Sequence, residues 1–233
     1  MKYRYIFIFL VFLGWSSPHT TADVYEYKRA SPDGTGKIYL GREISHVMGH
    51  LGANWLERKS REREEATNLL VNKLPLEIDS IVADIGAGTG YFTFRIAQRV
   101  THGTVIAVDI QDEMLDFIEK RRKTGNITNI KTIKGSVESI NIPDQSVDLI
   151  LLVDAYHEFS HPYEMGVSIA KALKAGGQLV LVEYRAEDPN IPIKRLHKMS
   201  ERQVIKEITE LGLIFEGNAD YLPRQHVLTF RKR

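Results

Sequence analysis

From Ser80 onward the chain repeats one pattern. A short run of consecutive apolar residues is followed by a longer stretch with helical spacing. "SIVADI", "TVIAVDI", "SVDLILLVDAY" and "QLVLVEY" are apolar along most of their length rather than alternating. Strands of this kind are covered on both faces, which a parallel sheet with helices on either side provides. "GYFTFRIAQRV" and "QDEMLDFIEKRRK" read as helices. So does "PYEMGVSIAKALKAGG", with Pro162 near its start and Gly176 past its end. "ITNIKTIKG" holds a further strand, Lys194 to Leu211 a further helix, and "LIFEGN" and "HVLTFRK" two last strands. No helix separates those two, so they are expected to pair antiparallel at one edge. The pattern predicts an α/β fold: seven strands, mostly parallel, with helices on both faces.

This pattern occupies residues 77–233. Residues 23–76 read as a lead-in followed by an N-terminal helical cap. "DVYEYKRASPDGTGKIYL" is rich in turn formers, and "SPDGTG" reads as a loop. Ile44, Val47, Met48, Leu51 and Trp55 recur at helical spacing, which predicts an amphipathic helix from Arg42 to Leu56. In "ERKSREREEATNLLVNKL" the charge run is expected on a solvated helix face, with Leu69, Leu70 and Leu74 packing inward and Pro75 closing the region. Residues 1–22 have the layout of a secretory signal peptide: Lys2 and Arg4, an apolar core from Tyr5 to Trp15, then small polar residues ending at Ala22. The apolar core is about half of the roughly 20 residues a membrane-spanning helix needs. The expected location is therefore exported, periplasmic or secreted, and the membrane is a partner only if the segment stays uncleaved.

The 233-residue chain carries a formal charge of +1. Loss of residues 1–22 removes two bases and no acid. A near-neutral chain without a basic block offers no electrostatic reason to bind nucleic acid. It has no cysteine, which excludes disulfides and thiolate metal sites.

"VADIGAGTGYF" places Gly86, Gly88 and Gly90 between the first strand and the first helix. Ligands of open α/β sheets bind beyond the carboxyl ends of the strands, so this turn is expected to meet one. A phosphate-binding loop needs Gly-Lys where Tyr91 and Phe92 stand. A dinucleotide fingerprint needs a third glycine where Tyr91 stands. A nucleoside ligand without a pyrophosphate remains.

"VADIGAGTGYFTFRIA" resembles the first motif of the class I S-adenosylmethionine-dependent methyltransferases nearly residue for residue, and the resemblance covers about residues 77–233. It implies a Rossmann-like sheet and S-adenosylmethionine as cofactor. It implies that Asp84 orders the loop and reaches toward the methionine amino group, and that Gly86, Ala87, Gly88 and Gly90 bring the backbone to the cofactor. Asp109, which ends "TVIAVDI", matches the acid that accepts from both ribose hydroxyls, with Ile110 beside it. Many members carry an acid for the adenine amino group where this chain has Ser136, leaving the Val137 backbone to hold the base. "KALKAGGQLVLVE" follows the family pattern into the fifth strand.

Methyltransferases that act on cytosine carbon use a cysteine, and this chain has none. Those that act on nucleobase or glutamine amines carry Asn/Asp-Pro-Pro-aromatic after the fourth strand, where this chain has Asp154-Ala155-Tyr156-His157. "VDAYHEFSHPYEM" is similar to the ubiquinone/menaquinone-type and other small-molecule branch, in which this segment faces the cofactor's methyl group. The expected partner is a small-molecule methyl acceptor. His157 is the candidate general base, with Glu158 as its orienting acid and Tyr156 a further catalytic candidate, unless Tyr156, His157 and Phe159 only shape the wall. His50, Glu183 and Arg185 are expected at the acceptor pocket, and Asp154 at the cofactor. No metal is assigned. His46 and His50 share a helix face in this reading, but no third ligand accompanies them. Two alternatives stay open: a magnesium-dependent O-methyltransferase using Asp154 and Glu183, and an exported S-adenosylmethionine-fold protein without catalysis.

Overall fold

In a computed structural model, residues 24–233 are described. The leader reading of residues 1–22 lies outside the described residues. Three strands come first: β1 (Tyr25–Tyr27), β2 (Gly34–Tyr39) and β3 (Arg42–Ser45), paired antiparallel in that order. This corrects the expected helix over Arg42 to Leu56. Ile44 is fully buried as a strand residue, while Leu51 is 89% exposed, so the two never share a helical face. The turn "SPDGTG" closes on Glu43, whose carboxylate accepts from the Ser31 and Gly36 amides at 2.9 and 3.1 Å.

Only short helical pieces follow: a 3-10 turn (His50–Gly52), α1 (Ala53–Leu56), α2 (Arg61–Glu65) and α3 (Thr67–Lys73). Ala66, in left-handed backbone at φ 50°, breaks α2 from α3. Leu70 and Leu74 pack inward as expected, whereas Leu69 is exposed. The charge run is not a solvated face throughout, because Arg61 and Glu65 are buried and paired.

The main sheet consists of β4 (Ile81–Ile85), β5 (Thr104–Asp109), β6 (Ile130–Lys134), β7 (Val147–Val153), β8 (Leu173–Tyr184), β9 (Ile214–Asn218) and β10 (Gln225–Arg231), in spatial order β6-β5-β4-β7-β8-β10-β9. The first five are parallel to their neighbours, and β10 runs antiparallel to both β8 and β9. Successive side chains along a strand face opposite sides. Val82, Leu149, Leu151 and Val182 therefore join Leu70, Phe92 and Ile96 of α3 and α4 (Tyr91–Ala97) on one face. Ala83, Ile150, Leu152 and Leu181 join Met165, Ile169, Val204 and Ile208 on the other, from α6 (Pro162–Ala172) and α7 (Glu201–Thr209). Between β5 and β6 runs α5 (Asp112–Thr124).

The expected helix from Lys194 begins only at Glu201, where the Ser200 hydroxyl caps the Gln203 amide at 3.2 Å. Before it the chain makes a 3-10 turn (Arg195–His197) and a bridge from Met199 to Arg185. The chain order reverses between β4 and β7, which opens the crevice at their carboxyl ends. No helix among the described residues is long and apolar enough to cross a membrane.

The small N-terminal sheet is fastened to this frame. Tyr25 donates to Glu164 on α6. Arg42 forms a two-point ion pair with Glu207 on α7, Nε to Oε1 at 2.6 Å and Nη2 to Oε2 at 2.8 Å, with both side chains out of solvent. The remaining nitrogen, Nη1, donates to the His157 carbonyl at 3.1 Å.

Candidate active site

A cavity of about 550 Å³ lies over the carboxyl ends of β4, β5 and β7. Its floor is the glycine turn. Gly86 and Gly88 have φ of 71° and 54°, a region that glycine enters without a steric cost. A Cβ on Gly88 would come within 2.7 Å of Leu56, and one on Gly86 within 2.7 Å of Ala155. Asp109 ends β5 and ties the turn down: its carboxylate accepts from the Gly88 amide at 2.9 Å and from the Gln111 amide at 3.0 Å. Burial pushes its pKa up, against those amide hydrogen bonds. Ile110, Ser136 and Val137 continue the wall, and Ile110 and Val137 leave apolar surface open to it.

The roof is the segment after β3. His46, Val47, Met48, Trp55, Leu56 and Arg61 line the cavity from above. Gln111 latches this segment down: its amide oxygen accepts from the His50 backbone at 2.8 Å and its amide nitrogen donates to the Met48 carbonyl at 3.1 Å. Where a helical cap was expected, an irregular strap roofs the cavity.

At the far end stands a cluster. His157 is buried in a 3-10 turn (Tyr156–Glu158) after β7. Its Nδ1 lies 2.6 Å from Glu183 Oε2 on β8. Its Nε2 lies 3.1 Å from His197 Nδ1 and 3.7 Å from Glu158 Oε1, and those last two atoms are 3.4 Å apart. Burial opposes charge on His157, but the Glu183 and Glu158 carboxylates outweigh it and raise its pKa to about 10. Glu158 is held down to about 2 by the two imidazoles, despite its burial. Both carboxylates favour the protonated ring, which is the opposite of the direction that would free His157 as a base near neutrality.

The other sequence-predicted residues divide. Asp154 lines the cavity at φ 50°. Its Oδ2 accepts from Gln225 at 2.7 Å, while Oδ1 is buried with no hydrogen-bond partner among the described residues. Burial, then the Glu65 and Glu183 charges, raise its pKa well above the usual carboxylate value. Asp84 does not line the cavity. It sits beneath the turn, accepts from the Thr93 hydroxyl at 2.6 Å, and burial lifts its pKa to about 6. Ala87 and Gly90 also lie outside the cavity wall: the Ala87 amide is spent on Val108, and Gly90 makes room for Phe94 and Ile118. Tyr156 points into the core beside Arg42 rather than into the cavity. Arg185 is drawn away to Asp220 and the Leu222 carbonyl. His50 faces Glu113 outside the wall, and the histidine on the wall from that segment is His46. Glu183 meets the cavity only through His157. Both of its oxygens face that residue's amide and ring, so it does not converge with Asp154 into a magnesium site.

Sequence reasoning missed Arg61 and Tyr184 as wall residues, and His197, in sequence only a weaker candidate beside His226, stands on the wall. Arg61 donates to Glu65 and to the Leu56 carbonyl, and Tyr184 donates to Glu65 at 2.8 Å. The periodicity of a helical charge run hides a buried arginine, and nothing local in "IKRLHKM" marks His197.

The family model described as a methyltransferase domain matches residues 77–222. The chain belongs to the class I S-adenosylmethionine-dependent methyltransferases. An uncharacterised methyltransferase-like protein of Schizosaccharomyces pombe is 34% identical over 138 residues, covering 58% of this chain and 50% of that protein. A ubiquinone/menaquinone biosynthesis C-methyltransferase of Marinomonas is 26% identical over 141 residues, covering 60% and 55%. The chain thus spans about half the length of these curated relatives. A crystal structure of an S-adenosylmethionine-dependent methyltransferase from Aquifex aeolicus shares the fold, with a TM-score of 0.75 over 80% of this chain and 100% of that one, at 19% identity.

S-adenosylmethionine is the cofactor of this family, and the residues present fit it. The glycine turn has no room for side chains at Gly86 and Gly88, so it presents bare backbone to the cavity. Asp109 keeps unshared lone pairs beside its two amide contacts. Asp154 Oδ1 is a buried acceptor in need of a donor, such as an ammonium group.

Proposed function

We propose that this protein transfers a methyl group from S-adenosylmethionine to a small-molecule acceptor held between the strap and the His157–Glu158–His197 cluster. One observation carries the reading: the glycine turn with Asp109 and the histidine–carboxylate cluster are opposite ends of a single cavity. The cofactor supplies a methyl carbon on a sulfonium. The chain's residues divide the remaining work. Asp109 accepts from the ribose hydroxyls, Ile110 and Val137 sandwich the adenine, and the Val137 backbone reads its edge next to Ser136. Asp154 takes the methionine ammonium, and Arg61, on the wall above, takes the carboxylate. The strap excludes water from the reacting atoms, so placement and desolvation supply much of the acceleration.

The test is turnover. Protein lacking residues 1–22 should convert S-adenosylmethionine to S-adenosylhomocysteine in the presence of one member of a panel of phenols, carboxylic acids, thiols and amines. Glu158→Gln should slow turnover at least tenfold while S-adenosylhomocysteine affinity stays within about twofold. Cofactor binding without turnover on any class would favour the non-catalytic reading.

The proposal extends to location. Residues 1–22 direct export, on the strength of their basic, apolar and small-residue order. Mass spectrometry of protein from the native host should place the mature terminus near Asp23. A terminus at Met1 in a soluble cytosolic fraction would overturn this.

A further inference from the structure

We propose that His157, His197 and Glu158 form a divalent transition-metal site, best matched to zinc, with its open position facing the methyl acceptor. The inference goes beyond methyl transfer and rests on that reading only for the acceptor's identity.

The three ligand atoms are His157 Nε2, His197 Nδ1 and Glu158 Oε1, and they make a triangle with edges of 3.1, 3.4 and 3.7 Å. A tetrahedral ion with ligands about 2.1 Å away sets those ligands about 3.4 Å from one another, whereas neighbouring ligands of an octahedral ion lie about 3.0 Å apart. The mean edge of this triangle is that of a tetrahedral face. Two imidazoles and one carboxylate are a donor set that zinc accepts, and catalytic zinc keeps its fourth position for water or substrate. All three residues line the cavity, so that fourth position opens into it.

The outer contact is in place as well. Metal-bound histidines hand their second ring nitrogen to a carboxylate, which fixes the ring and its tautomer. His157 does so, with Nδ1 2.6 Å from Glu183 Oε2, and Glu183 is fully buried on β8. The backbone of His157 is pinned too: its carbonyl accepts from Arg42 and from the Ser45 hydroxyl. The two imidazole nitrogens already face one another at 3.1 Å, so an ion between them binds both rings with little rearrangement.

A hydroxyl or thiol acceptor is acidified by the ion as it takes the fourth position, and its proton leaves with the water it displaces, before methyl transfer. Its lone pair then forms the bond to the methyl carbon as the carbon–sulfur bond breaks. The bonding electrons leave with sulfur, as neutral S-adenosylhomocysteine.

The experiment is a zinc titration. Protein lacking residues 1–22 is stripped with a chelator, dialysed, and titrated with zinc chloride against a chromophoric competitor. We expect one equivalent bound more tightly than about 1 μM. X-ray absorption should show two imidazole nitrogens and carboxylate oxygen at about 2.0–2.2 Å. His197→Ala should abolish stoichiometric binding, and Glu183→Gln should weaken it about 10–100-fold. His102→Ala, at an exposed histidine outside the cavity lining, should change nothing. Melting curves and S-adenosylhomocysteine affinity, read on every variant, separate loss of metal from loss of fold. Wild-type protein that binds less than one equivalent, or binds it more weakly than about 1 μM, overturns the site, as does a folded His197→Ala that binds like wild type. The wild-type titration and its absorption spectrum decide the matter even if a variant fails to fold. Zinc binding without S-adenosylhomocysteine binding would leave the metal site standing and sink the methyl-transfer reading; the reverse result would do the opposite.

Discussion

Glu207→Gln should lower the stability of the protein by about 3–5 kcal/mol in urea unfolding. The residue is fully buried, and its carboxylate meets Arg42 at two points and Gln203 at 2.8 Å. Neutralising it leaves a buried guanidinium without its counter-charge, with the His157 carbonyl as its other hydrogen-bond partner. The loss is a large share of the 5–15 kcal/mol that a domain of this kind commonly holds. The double variant Arg42→Met with Glu207→Gln should recover much of the deficit, because no unpaired charge then remains inside. A single variant within about 1 kcal/mol of wild type would show that the pair contributes little.

Asp109→Ala should weaken S-adenosylhomocysteine binding by about 1–3 kcal/mol, or roughly ten- to hundredfold, in calorimetry. Two losses contribute. In the proposed pose the ribose loses its acceptor, and the Gly88 and Gln111 amides lose theirs. The second loss loosens the turn that shapes the floor and the residue whose side chain latches the strap. Equal affinity in wild type and variant would remove Asp109 from the cofactor site. A loss of affinity accompanied by an unchanged thermal midpoint would assign the effect to the ligand contact rather than to the turn.

The doubly wound part of the fold was legible because its signals are local. Leu149–Leu152 is apolar at every position and Val82–Ile85 at every position but Asp84, and only a strand buried on both faces demands that. The glycine turn and Asp109 were legible for the same reason: the backbone geometry that brings a chain close to a ligand restricts residue type within a few positions. The N-terminal sheet was not legible. Ile44 and Met48 satisfy a helical repeat by coincidence, and the short strands β1 to β3 are set by contacts to α6 and α7, more than a hundred residues away. Arg61 and Glu65 escaped for a related reason, since charge at helical spacing normally marks solvent. The cluster was half legible. His157 and Glu158 follow a strand end, where α/β sheets place their chemistry, but His197 arrives from an irregular turn 40 residues on and carries no local signal.

The strap has a consequence for how such a site diversifies. The floor of the cavity lies within the shared methyltransferase span, residues 77–222, but every roof residue from His46 to Arg61 lies outside it. So do Arg42 and Ser45, which fix the position of His157. On the proposed reading, the roof over the recipient is thus written in a stretch of chain outside the shared span, whereas the turn that meets the donor and the His157–Glu158–His197 end of the cavity lie inside it. The roof can drift or be exchanged while those two stay constant.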